Sequence, residues 1–78
     1  MQQVFVKDLY EKTLSVEVEL DWSIKDLKEW VKSRTGYTVE QQVLIFAGRP
    51  TNDQSTLSDY NVTNNLNTFH ILIKNIKS

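Results

Sequence analysis

Seventy-eight residues make one small domain, near the lower limit for a chain that must stabilise itself with its own core. A hydrophobic fraction of 40% suffices to pack one sheet against one helix. With no cysteine, neither disulfides nor thiolate metal sites can add to that core. Ten acidic against nine basic residues, a net charge of −1, leave no basic excess to track phosphates, which argues against nucleic acid as a partner.

The lack of cysteine fits a reducing compartment, so a cytoplasmic or nuclear location is expected. No apolar run approaches membrane-spanning length, and the N-terminus lacks the apolar segment of a signal peptide. Asn61-Val62-Thr63 matches a glycosylation sequon, but without a secretory signal it reads as an unmodified turn.

In chain order, Val4 and Val6, then Leu14, Val16 and Val18, alternate with polar residues at the period of half-buried strands. Asp8 to Lys12 is a polar break of hairpin length between them. Ser23-Ile24-Lys25-Asp26 reads as a helix start, with Ser23 as N-cap and Asp26 adding an acid to the first turn. Ile24, Leu27 and Val31 recur at helical spacing as a buried stripe, and Gly36 is placed to end the helix after roughly three turns.

A third strand is expected over about Gln42 to Phe46, followed by a turn at Ala47-Gly48-Arg49-Pro50. Asn52 to Asn67 reads mostly as loop, with a short helical turn around Leu57 to Tyr60. Phe69 to Ile73 is the last strand. The order strand, strand, helix, strand, strand predicts an α+β domain with one helix across a mixed sheet.

Alternation also says what faces outward. If Phe69, Ile71 and Ile73 face the helix, His70 and Leu72 face solvent. If Leu44 and Phe46 turn inward, Val43 and Ile45 are left outside. Two such strands side by side would make an exposed apolar patch.

Two blocks, Gln41-Gln42-Val43-Leu44-Ile45-Phe46-Ala47-Gly48 and Thr56-Leu57-Ser58-Asp59-Tyr60-Asn61, closely resemble the ubiquitin family. The resemblance runs along the whole chain, with one extra residue near Asn65 to Asn67. It implies a β-grasp fold in which the third and last strands are neighbours beside the first hairpin turn. On that alignment Leu9, Ile45, His70 and Leu72 fall on ubiquitin's main recognition surface, with Leu72 in place of a valine. Gly48 matches the small residue at its rim. Val43 stands where ubiquitin has an arginine, which enlarges the apolar area and removes a charge. Arg49 replaces a chain-forming lysine, keeping the charge but not the isopeptide chemistry; Asn64 replaces another. Tyr37 and Phe5 lie at lesser contact positions.

Other positions carry structural expectations from the same resemblance. Trp22 and Trp30 stand where ubiquitin has an aspartate and a lysine close enough to interact. They are expected to pair as aromatics, stapling the helix start, or to form a secondary surface. Lys28 and Asp53 match a buried ion pair, and Tyr60 matches a tyrosine whose hydroxyl ties down a loop.

No catalytic, cofactor or metal site is legible. His70 has no cysteine or placed serine to activate, Ser58-Asp59 lacks a nucleophile-elbow context, and Gly36 and Gly48 are too few for a phosphate-cradling loop. The end Lys74-Asn75-Ile76-Lys77-Ser78 lacks ubiquitin's terminal diglycine, and Lys74 replaces an arginine read by its activating enzyme. Both changes argue against a covalent modifier. The expected function is a monomeric, non-covalent binding module of the ubiquitin–proteasome system. Its partners would be ubiquitin-binding helices or domains, proteasome receptor subunits or ubiquitin-conjugation enzymes. Two alternatives are the regulatory or recruiting N-terminal domain of a ubiquitin ligase or deubiquitinase, and a modifier whose processed diglycine lies further on. Met1 and the shortened end read as the first domain of a longer protein.

Overall fold

The computed structural model describes residues 1–10 and 12–74. The chain end from Asn75, on which the missing diglycine was read, lies outside the described residues. Strands β1 (Gln2–Lys7) and β2 (Thr13–Val18) form a hairpin, and helix α1 (Ile24–Thr35) follows. A 3-10 turn (Val39–Gln41) leads into β3 (Gln42–Phe46), then come β4 (Arg49–Pro50) and β5 (Thr68–Ile73). The sheet order is β2-β1-β5-β3-β4, with β1 and β5 parallel and the other pairs antiparallel. This is a β-grasp arrangement, one helix laid over one face of a mixed sheet.

The order read from the sequence held four strands; the sheet has five. The difference is Arg49–Pro50, expected in a turn, which pairs with β3 through Phe46↔Arg49 and Ile45↔Pro50. Two residues are too short for alternation to announce. Pro50 is tolerated because β4 is the sheet edge, where a missing N–H breaks no ladder. The turn itself is only Ala47-Gly48, at φ 53° and 80°. Positive φ at both positions matches the twist of the flanking strands, but a Cβ at Ala47 is strained there.

Helix α1 begins as its sequence dictates. The Asp26 N–H donates to Ser23 Oγ (3.1 Å) and the Ser23 N–H to Asp26 Oδ2 (3.0 Å), a reciprocal capping box. The next free donors are met from the far loop: the Ile24 N–H reaches the Ser55 carbonyl (2.9 Å) and the Lys25 N–H the Asp53 carbonyl (3.2 Å). At the other end Gly36, at φ 85°, returns its N–H to the Lys32 carbonyl (2.8 Å), the left-handed stop that glycine allows.

Ile24, Leu27 and Val31 are fully buried against Val4 and Val6 of β1, Val16 and Val18 of β2, Leu44 and Phe46 of β3, and Phe69 and Ile71 of β5. Each such side chain contributes about 1.5–3 kcal/mol relative to exposure. Phe46 and Phe69, opposite one another in register, have ring centroids 4.7 Å apart. Leu57 and Val62 close the core from the long loop.

The strain at Ala47 generates a prediction. Ala47→Asn should raise stability by about 0.5–1 kcal/mol, because asparagine tolerates the left-handed region better than alanine. Urea unfolding checks it, and a lower midpoint would reject the assigned strain.

Candidate functional site

The helix covers one face of the sheet, so alternation sends the other set of side chains to solvent. On that open face Val43 lies opposite Leu72, and Ile45 opposite His70, in the β3–β5 register. Side chains so paired stand within about 5.5 Å at Cβ. Leu72 is 40% exposed and His70 is exposed, while Val43 and Ile45 are half-buried. The structure therefore brings four of the expected residues into two adjacent cross-strand rows.

Gly48 and Arg49 continue from β3 at the end of this patch, both exposed. A Cβ at Gly48 would meet nothing within 4 Å. Backbone conformation, not packing inside the domain, is what asks for glycine there. Leu9, 69% exposed, stands in the β1–β2 turn two residues beyond Lys7, which is the parallel partner of His70. The turn is set by Asp8 Oδ1, which accepts the N–H of Tyr10 (2.8 Å) and of Lys12 (2.9 Å).

Two residues of this face were not legible in the sequence. Pro50, not Arg49, lies opposite Ile45, and Lys7 flanks His70. Only the pairing of β4 and the parallel β1–β5 contact reveals them. Phe5, half-buried opposite Thr68, extends the same face. The open side of β1, β3 and β5 carries no acidic residue, Lys7 and Lys74 give it positive charge, and Arg49 is exposed on the edge strand opposite Phe46. His70 sits between Ile45 and Lys7 in the sheet, and among the described residues no carboxylate hydrogen-bonds its imidazole. Among the described residues no cluster of three or more metal-ligating side chains occurs, and no helix is long and apolar enough to cross a membrane.

The expected Trp22–Trp30 pair is not formed. Among the described residues the ring pairs are Phe46–Tyr60 and Phe46–Phe69. Both tryptophans are half-buried and lean on the core, and Trp30 is capped by Arg34, whose guanidinium carbon lies 4.9 Å from the ring centroid. Arg34 is one helical turn on from Trp30, the spacing at which side chains on a helix meet. Trp22 precedes the helix and has no such constraint.

Lys28 and Asp53 meet, with Nζ donating to Oδ1 at 2.5 Å. The pair is buried on one side only: the lysine side chain is 8% exposed, the aspartate 38%. The expected pair is therefore formed, with its lysine buried and its aspartate, on the surface loop, reaching inward from water. Tyr60 Oη accepts from the Asn52 N–H (2.8 Å). Gln42, unremarked in the sequence, is 1% exposed, and its amide donates to the carbonyls of Lys28 (2.9 Å) and Tyr37 (3.1 Å). Strand parity with Leu44 and Phe46 was the available signal.

Two predictions follow from these contacts. Asp53→Ala should cost about 1–3 kcal/mol, less than a fully buried pair would, since water partly replaces the carboxylate; thermal unfolding reads it. Trp22→Phe should leave the near-UV signal of Trp30 unchanged while Arg34→Gln alters it; the opposite pattern would restore the tryptophan pair.

Comparison with known proteins shows the family. The sequence model of the ubiquitin family matches residues 4–76. The chain is 38% identical over 60 residues to large proline-rich protein bag6-A of Xenopus laevis, covering 77% of this chain and 5% of that protein. It is 33% identical over 63 residues to human UV excision repair protein RAD23 homolog B, covering 77% of this chain and 15% of the relative. It is 37% identical over 54 residues to E3 ubiquitin-protein ligase parkin of Drosophila melanogaster, covering 69% and 11%. The chain thus spans a small part of each of these relatives. With fold, register and sequence in agreement, the chain belongs to the ubiquitin family.

Proposed function

We propose that this domain is a non-covalent protein-interaction module of the ubiquitin–proteasome system, offering its open sheet face to ubiquitin-binding helices, small domains or proteasome receptor subunits. The observation that carries the reading is the double row Val43/Leu72 and Ile45/His70, apolar at its centre and cationic at its rim. Burying such a row releases water from large aliphatic side chains, while the rim cations orient a partner with acidic flanks. A face of this size binds weakly, at about −8 to −4 kcal/mol, roughly micromolar to millimolar. The mode is a helix or compact domain laid across the strands. The domain acts by binding as a monomer, in the cytoplasm or nucleus, and no reaction is assigned to it.

A second reading, the regulatory or recruiting domain of a ubiquitin ligase or deubiquitinase, is favoured by the similarity to a Drosophila ligase. It uses the same face and differs in what else the protein carries.

Amide shifts of labelled protein titrated with a ubiquitin-interacting helix test the proposal. Shifts should cluster at Leu9, Ile45, Gly48, His70 and Leu72, and Ile45→Ala should weaken binding at least about tenfold, the loss of a central apolar anchor. Silence along both rows at millimolar helix would refute it.

A further inference from the structure

On the side of the β1–β2 turn away from the open sheet face lies a hollow between the turn and the end of α1. Its walls include Tyr10, Lys12, Arg34 and Tyr37. Tyr10, 81% exposed, is the most exposed aromatic side chain of the domain. It stands between the acids Asp8 and Glu11 in sequence, the kind of flank that the cationic substrate clefts of protein tyrosine kinases receive. The other tyrosines are less available: Tyr37 is 37% exposed, and the Tyr60 hydroxyl is engaged by Asn52.

Arg34 is held in place at the wall of this hollow. Its guanidinium lies over Trp30, and a stacked guanidinium keeps its in-plane N–H fork free for a planar or tetrahedral oxyanion. Among the described residues the only ion pair is Lys28–Asp53, which engages neither Arg34 nor Lys12. Among the described groups two oppose an anion, the carbonyl end of α1, about half a negative charge, and the Asp8 carboxylate; Glu11, next to Tyr10 in sequence, is a further acid. Asp8 is turned into the turn, with Oδ1 accepting two backbone N–H groups. Against these the hollow brings two full cations, Lys12 from the turn and Arg34 from the helix end.

We propose that Tyr10 is a phosphorylation site and that Lys12 and Arg34 receive its phosphate, latching the β1–β2 turn to the end of α1. A tyrosine kinase would supply the step: the Tyr10 phenolic oxygen attacks the γ-phosphorus of ATP, the bridging P–O bond breaks, ADP leaves, and the phenol proton passes to the kinase's base. Three charge-accepting oxygens then face two cations across the hollow. The proposal is independent of the sheet-face reading.

The test treats the folded domain with ATP and a panel of soluble tyrosine kinase catalytic domains, and maps the modified residue by mass spectrometry. Phosphate should enter at Tyr10, and Tyr10→Phe should abolish it. Phosphorus NMR of the product should then show a second phosphate pKa lower by about half a unit, a threefold weaker proton affinity, than in the free 5–15 peptide. Lys12→Gln with Arg34→Gln should remove that difference. Incorporation at Tyr37 or Tyr60 instead, none at all, or a phosphate that titrates as in the peptide would each overturn the proposal.

Discussion

One helix can cover only one face of a sheet, and everything exposed on this domain descends from that limit. Ile24, Leu27 and Val31 of α1 close the inner face over Val4, Val6, Leu44, Phe46, Phe69 and Ile71. Because successive side chains on a strand point to opposite sides, placing Phe69 and Ile71 inside forces His70 and Leu72 outside. A strand such as β5, apolar on both parities, can satisfy only half of its hydrophobic side chains within the domain. The remainder is an unpaid debt of apolar surface, which a partner can cover.

The position of that helix depends on contacts that are remote in sequence. Its first donors are met by the Ser55 and Asp53 carbonyls, and its Lys28 ammonium by the Asp53 carboxylate. The same loop returns the Leu57 N–H to the Trp22 carbonyl (2.9 Å) and the Ser58 N–H to that of Leu20 (3.0 Å). An irregular stretch thus does the work of a strand, satisfying backbone groups that burial would leave unpaired. Gln42 adds a second tie, joining the start of β3 to the middle of α1 and to the segment after it. Its Oε1 has no partner in the structure. A core this small holds its register by such links as much as by area.

The two faces differ in electrostatic character as well as in polarity. The open side of β1, β3 and β5 combines aliphatic rows with cations, whereas the helix side carries mixed charge, with Lys25, Glu29, Lys32 and Arg34 exposed along α1. Arg34 is the exception to free solvation, because it lies on Trp30. The tryptophan exchanges the expected ring partner for a cation one turn away, which shows how helix geometry selects among nearby partners.

By itself the sequence determined four strands, the helix and its caps, and the inward and outward parities of β3 and β5, because those are local: hydrogen-bonding side chains and periodicities of 3.6 and 2 act within a few residues. The resemblance of two blocks to ubiquitin implied that the strands carrying Ile45 and Leu72 are neighbours. Tertiary structure alone decided the rest. It made Arg49–Pro50 a fifth strand, put Pro50 opposite Ile45 and Lys7 beside His70, turned Trp30 to Arg34 and left Asp53 half in water. Each of these depends on which distant segments meet and at what register. Pairing energy and loop closure set that for the whole chain at once, and no short window of sequence contains it.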